Sequence, residues 1–417
     1  MLAERKPHRS GPVCVTELMG APYLARMPAQ PAPSPISPRA KDLFGLDRSY
    51  TFLNHGSFGS CPLQVLAAQD RSRREIEARP IELLGRRVEE LLQPARQAVA
   101  AFVQADAAGL GFMVNATEGV NAVLHSIEWQ RGDEVLALDM LYNAVRKSVQ
   151  RLGVSHGITL REVVTPSEGW SGEKLANLLI DAIASQTRLV IVDHVTSPTA
   201  IVVDVQRVIQ ACKARGILVL VDGAHAPGML DLSINGLDAD WYTANLHKWT
   251  CAPKGCGMLV TAPQHRNATH PLATSHHFGL AYTKEFDWQG TRDITAWMHA
   301  GTAIEFFAQF GWNRVREHNH SLAVWAHNAL CEAWSVAPLT DASGSSMGSM
   351  CAVRVPKATR MKHASVEDLA RVLYERERVE IPVIDWKGEW HVRVSAHIHT
   401  AQEDILRLAD AVRAIGR

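Results

Sequence analysis

No apolar run in this 417-residue chain approaches the roughly 18 residues needed to span a bilayer, which argues against a membrane protein. Neither sign of charge is in excess. The 43 Lys+Arg balance 43 Asp+Glu, and no basic stripe offers a nucleic-acid footprint. C-x-x-C pairs are absent too. The seven cysteines (Cys14, Cys61, Cys212, Cys251, Cys256, Cys331 and Cys351) are scattered and odd in number. That usage fits reduced, mostly buried thiols of a cytoplasmic protein better than a disulfide framework or a zinc cage. The N-terminus is basic at Arg5, Lys6 and Arg9 but lacks the apolar stretch of a secretory signal. Neither an internal repeat nor a P-loop G-x-x-x-x-G-K occurs. What remains is 47% hydrophobic and 21% charged, a globular balance that excludes a mainly disordered chain. At about 150 residues per domain, the length suggests two or three domains.

Eight of the 20 prolines fall in residues 1–40. Proline fixes φ and removes a donor, so this stretch reads as an extended, disordered tail, with folding beginning near Lys41. From about 70 to 262 apolar runs alternate with amphipathic ones. Runs at 112–114, 134–138, 160–164, 189–192, 217–221 and 258–260 predict strands, the last of them a candidate for antiparallel pairing. Between them, Val120, Val123, Leu124 and Ile127 share one helical face, as do Val205, Val208, Ile209 and Cys212 ahead of Gly216. Continuous apolar strands separated by helices predict an α/β fold with a parallel sheet covered on both faces. After about 295 the texture changes. Helices over 295–310, 315–334, 365–377 and 401–415 mix with strands at 351–355 and 391–395, which predicts a smaller α+β domain. The last helix offers Thr400 as N-cap with Glu403 three residues on.

Ligands of open α/β sheets collect beyond the carboxyl ends of strands, and three strand ends carry suggestive residues. At Asn115-Ala-Thr-Glu118 a strand runs into a helix, where free N–H groups favour an anion such as phosphate, though by itself the segment reads better as a plain N-cap. Asp222 follows the most apolar strand of the chain, where a carboxylate is expensive unless a cation needs it. Lys248 sits in Asn245-Leu-His-Lys-Trp249; partly buried beside an aromatic, its amine has a depressed pKa and can act as nucleophile or base. An amine, a buried carboxylate and a phosphate cradle together suit pyridoxal 5′-phosphate (PLP), whose aldehyde, ring nitrogen and phosphate need one each. His276, His277, His318 and His320 read as surface or loop residues. His397 and His399 alternate along an extended segment, and no metal site is expected at either group.

With Leu53-Asn-His-Gly-Ser-Phe-Gly59, Asp222-Gly-Ala-His225, Gly290-Thr-Arg-Asp293 and Arg393-Val-Ser395 added, the motifs run in order from about 50 to 400. The chain resembles the class V aminotransferase family of PLP-dependent transferase fold type I, in its isopenicillin N epimerase-like branch. The resemblance implies a large domain with a mostly parallel seven-stranded sheet over 71–295 and a small C-terminal domain over 296–417. Residues 41–70 would pack on the small domain and the active-site mouth. It further implies that Lys248 binds the cofactor's aldehyde, Asp222 holds the ring nitrogen, His225 lies near the ring oxygen and Tyr142 stacks on the ring. Asn115, Ala116, Thr117 and His247 would hold phosphate, aided by Asn245 where relatives often carry a small hydroxyl residue. Thr291 would reach the neighbouring site of a homodimer. Arg393 would clamp the carboxylate of an amino-acid substrate, with Asn54 and His55 as further contacts.

The implied shared step is removal of the substrate's Cα proton by Lys248. Epimerisation or C–S cleavage is the first reading, transamination the alternative. An epimerase wants a second acid or base, for which Tyr142, His55 and Cys61 are candidates. A cysteine desulfurase needs a thiol in a mobile loop, but Cys331 lies in a helical pattern and Cys351 begins a strand. A PLP-sensing regulator would carry a DNA-binding module, which the proline-rich tail cannot form.

Overall fold

The computed structural model describes residues 31–417, so most of the proline-rich segment, 1–30, lies outside the described residues. Residues 31–39 carry no helix or strand, and the first helical turn is Ala40–Leu43. The large sheet contains β1 (Leu110–Met113), β2 (Glu134–Leu138), β3 (Thr159–Val163), β4 (Thr187–Asp193), β5 (Leu218–Asp222), β6 (Trp241–Asn245) and β7 (Gly257–Thr261). Their order across the sheet is β1-β7-β6-β5-β4-β2-β3, with β7 alone antiparallel to its neighbours β1 and β6. Six of these strands match the apolar runs. The sequence reading missed β6 because Tyr242, Thr243 and Asn245 interrupt its hydrophobicity, although all five of its residues are buried.

Both faces of the sheet are covered. Along β2, Val135 and Ala137 join one core while Leu136 and Leu138 join the other; β4 splits Leu189 and Ile191 from Val190 and Val192 in the same way. This is the pleat's period of two, with apolar side chains on both faces. On one side lies helix Ala116–Ser126, whose Val120, Val123 and Leu124 are fully buried. On the other lies helix Val205–Lys213, closed by Gly216 in the left-handed region at φ +67°.

A second core gathers around an antiparallel sheet of β8 (Met350–Arg354), β9 (Val383–Trp386) and β10 (Glu389–Ser395), in the order β9-β10-β8. The helix Trp312–Trp334 serves both cores: its Val315 packs into the large one, while Leu322, Ala326 and Leu330 pack into the small one. The preceding helix, Ala300–Ala308, also packs on the large side, so no break in packing falls at 295–296. The N-terminal segment binds the small sheet side through Thr51–Phe52, paired in parallel with Val379–Glu380. Two local expectations are corrected. The last helix spans Gln402–Gly416 and is capped one residue later than Thr400: the Ala401 N–H donates to Asp404 at 2.7 Å, while the Thr400 hydroxyl accepts from the His397 N–H. His318 is buried rather than solvated, because it lies among the inward-facing residues of the long helix with Asn319 and Leu322.

Candidate active site

Strand ends and the loops after them enclose a cavity of about 490 Å³ at the carboxyl edge of the sheet. Asp222 ends β5, and Lys248 lies three residues beyond β6. Both line this one cavity, together with His225 and Tyr142. Asn115, Ala116 and Thr117 at the start of helix Ala116–Ser126, and Asn245 and His247 after β6, line it as well. Gly223 lets the chain pass close to Tyr242, since a Cβ on it would lie 2.2 Å from the Tyr242 ring.

The hydrogen bonds around Lys248 set its protonation. Trp249 Nε1, which can only donate, lies 3.3 Å from His225 Nδ1. The neutral imidazole therefore carries its proton on Nε2, 3.2 Å from Lys248 Nζ, and donates to a free amine. Burial, then the nearby Arg393 charge, lowers the Lys248 pKa from 10.5 to about 7. Burial, with Lys248 adding to it, also keeps His225 neutral. Asp222 accepts one bond, from the Ala224 N–H at 3.0 Å, and burial raises its pKa. A buried carboxyl with one donor, lining one cavity with a free amine, matches the two ends of a pyridine ring that carries an aldehyde.

The phosphate end is built by the helix. Asn115 caps it by accepting the Glu118 N–H at 2.9 Å, and Asn245 Oδ1 accepts the Ala116 N–H at 2.8 Å. Asn245 thus acts on the helix end, and its oxygen is no donor to an anion. Thr117, in the first turn, keeps an N–H without an intrahelical partner, together with its hydroxyl. His247 lines the cavity, and its Nδ1 donates to the Cys256 carbonyl at 2.9 Å, which leaves Nε2 as an acceptor until it is protonated. Gly119 allows the helix to close on β6, because a Cβ there would lie 2.1 Å from the Thr243 hydroxyl.

Arg393, on β10, is buried behind the wall. It donates to the Ser197 carbonyl at 2.6 Å and to the Ser57 hydroxyl at 3.3 Å, and its Nε has no partner. Ser57 and Ser197 themselves line the cavity.

Asn54 and His55 lie outside the cavity lining. Asn54 donates to Glu380 at 2.8 Å and accepts from Ser57 at 2.5 Å, which turns it toward the small domain. His55 is fully buried, 3.1 Å from His399 Nε2 and 3.0 Å from the Lys248 carbonyl. Its role is to brace the lysine loop. His397 and Cys251 pack against it, with Cys251 Sγ 3.5 Å from His397 Nε2 and 3.6 Å from His55 Nε2. Three such ligand atoms within 4.8 Å invite a metal, but the His55 and His397 rings stack 4.1 Å apart at 16°. An ion binds in the plane of each imidazole, and near-parallel planes at that spacing do not share one. Thr291 is exposed and away from this cavity. Cys61 is buried, and burial pushes its thiol up to about 12, so it is a poor acid or base at neutral pH. The sequence reading missed Ser57, Ser197, Lys254 and Asp193 on the wall. Asp193 carried the same signal as Asp222, an acid directly after an apolar run.

Comparison with known proteins agrees with this geometry. Residues 60–408 match the Aminotransferase class-V family. The isopenicillin N epimerase of Streptomyces clavuligerus is 31% identical over 386 residues, covering 89% of this chain and 96% of that protein. A putative L-cysteine desulfhydrase of Oryza sativa subsp. japonica is 30% identical, covering 87% and 82%. Among solved structures, a C-DES variant with glycine covalently linked to its PLP cofactor superposes with a TM-score of 0.75 at 21% identity, covering 89% of this chain and 98% of that one. That likeness concerns the fold. With the family match spanning most of the chain and the cavity offering amine, carboxylate and phosphate cradle, the chain belongs to the class-V aminotransferase family and is a pyridoxal 5′-phosphate enzyme of fold type I.

Proposed function

We propose that the protein removes the Cα proton of an α-amino acid with Lys248 as base, and that epimerisation or C–S bond cleavage follows. The observation that carries this is that the free Lys248 amine and the buried Asp222 carboxyl line one cavity. Pyridoxal 5′-phosphate, when bound, supplies an aldehyde and a ring that accepts the electrons left behind by the proton. Asp222 would keep the ring nitrogen protonated, each unit of pKa being worth about 1.4 kcal/mol. Thr117 would hold the phosphate with its N–H and hydroxyl, and His247 would join it by taking a second proton on Nε2 beside the anion, with Asn115, Ala116 and Asn245 shaping the helix end. Arg393 would take the substrate's carboxylate in its fork, the Ser57 hydroxyl yielding its place. His225 would hold the Lys248 amine in place by donating its Nε2–H across their 3.2 Å contact.

Elimination of a sulfur leaving group needs one base, and Lys248 suffices. Epimerisation needs a second proton donor. Of Tyr142, His55 and Cys61, Tyr142 alone lines the cavity, which supports it for that role and for stacking on the ring. The names of the relatives, isopenicillin N epimerase and L-cysteine desulfhydrase, support these two branches over transamination. Desulfurase chemistry gains no support, since Cys331 lies within a helix and Cys351 is buried in β8. We further propose a cytoplasmic homodimer in which Thr291 reaches the neighbouring phosphate site. The exposed Leu272, Phe278 and Leu280 just ahead of Thr291 give that segment an apolar face to cover. No helix among the described residues is long and apolar enough to cross a membrane.

Incubation of the holoenzyme with an amino-acid panel in deuterated water tests the reading. Inversion with deuterium at Cα selects the epimerase, and pyruvate with released sulfide selects the lyase. Formation of an oxo acid with the carbon–sulfur bond intact selects transamination and overturns both. Failure of any amino acid to exchange its Cα proton removes Lys248 as base.

A further inference from the structure

One carboxyl on the cavity wall has no part in the proposed reaction. Asp193 closes β4 as Asp222 closes β5, and the two are register partners on adjacent parallel strands, so both side chains leave the same face of the sheet. Both are buried, and both line the cavity. Asp193 accepts the backbone N–H of Tyr142 through one oxygen, while its Oδ1 is buried with no hydrogen-bond partner. The charged groups acting on it are Asp222 from β5, Lys248 from beyond β6, and Arg146 from helix Asn143–His156. Both cations are engaged elsewhere: Lys248 Nζ lies against His225 at 3.2 Å, and Arg146 pairs with Glu162 at 2.8 Å.

Neighbouring buried carboxyls without a bound cation do not both ionise, because each charge is poorly solvated and repels the other. Burial and then the charge of Asp222 push Asp193 far up, whereas burial raises Asp222 and Lys248 pulls it back down. An ionised Asp193 would also hold Lys248 protonated, against the free amine that the His225 tautomer implies. We propose that Asp193 is a positioning residue kept as a neutral acid, holding the Tyr142 backbone with one oxygen and presenting an O–H donor to the ring pocket, so that Asp222 carries the only negative charge beneath the ring. The inference rests on the PLP site described above, and it adds a fourth group to the wall that orients the ring.

Infrared difference spectroscopy in H₂O and D₂O tests it without relying on turnover. The wild-type holoenzyme at neutral pH should show the carbonyl stretch of a protonated carboxyl that Asp193→Asn loses. The amide of Asp193→Asn can still accept from Tyr142 and donate into the pocket, so the pH midpoint of the bound cofactor's visible spectrum should hold. Asp193→Val can do neither and should weaken cofactor affinity about tenfold or more, the scale of one lost buried hydrogen bond. A wild-type spectrum without the band overturns the proposal, and needs no variant that folds. A band that persists in Asp193→Asn, or a midpoint moved by about one unit or more, overturns it as well. A borohydride-fixed link to Lys248 reports on the cofactor site separately, so a normal link with a missing band sinks the neutral acid alone.

Discussion

Replacing Arg393 with alanine removes a cation that the fold buries with only one carbonyl and two hydroxyls for company, and no carboxylate. Burial depresses its pKa from 12.5 to about 10, and at about 1.4 kcal/mol per unit this is about 3 kcal/mol of unrelieved desolvation. A lowered pKa on a cation means that folding disfavours the charged form. Because the guanidinium is charged in the unfolded chain at every pH below its folded pKa, the penalty is constant through the working range. A substrate carboxylate would relieve it and take up the partnerless Nε, with charge-assisted bonds worth about 1.5–3 kcal/mol each. Arg393→Ala should therefore lose about 3 kcal/mol of substrate binding, roughly a 150-fold rise in KM. Its apparent Tm should stay level or rise, because an uncompensated charge has gone. Arg393→Lys keeps charge without the planar fork and should fall between the two. Steady-state kinetics on the best substrate of the panel, with thermal melts of the holoenzyme, read both quantities. A KM within about threefold of wild type would remove Arg393 from the carboxylate site, and a large drop in Tm would show that it is a structural strut instead.

The Lys248 amine, lowered to about 7, should capture PLP at a rate that rises with pH to a midpoint near 7 and then levels, as stopped-flow absorbance would record; a midpoint near 10 would contradict the buried free amine. Arg393 contributes to that depression, so Arg393→Ala should move the midpoint upward. Lys248→Ala should lose the borohydride-fixed link to the cofactor, and an adduct retained at wild-type level would mean another lysine carries it. Gly59 adopts φ +70°, and a Cβ there would lie 2.1 Å from the His247 carbonyl. Gly59→Ala should displace the 247–248 backbone and reduce cofactor occupancy, measured by absorbance after gel filtration; full occupancy would show that the loop yields without consequence.

Much of the scaffold is legible in the chain because it rests on local periodicity. The split of Val135 and Ala137 from Leu136 and Leu138 follows from the pleat alone, and the buried stripe of Val205, Val208, Ile209 and Cys212 from the helical turn. β6 escapes such a reading. Its burial comes from neighbours on both sides, β5 and β7, and not from its own Trp-Tyr-Thr-Ala-Asn composition.

For the site, sequence by itself supplied the reactive groups: Asp222, His225 and the helix start at Asn115 each follow an apolar run, where such groups collect, and Lys248 stands beside an aromatic in Asn245-Leu-His-Lys-Trp249. Tertiary structure decided which of them meet and in what state. The brace of His55, Cys251, His397 and His399 joins residues as much as 344 apart in the chain, and sets His55 against the Lys248 carbonyl. Asp193 meets Asp222 only because β4 and β5 lie side by side in register. Spacing along a chain reports which way a side chain faces within its own element. Strand order and the burial it imposes determine which charges become neighbours, and therefore which of them keep a proton.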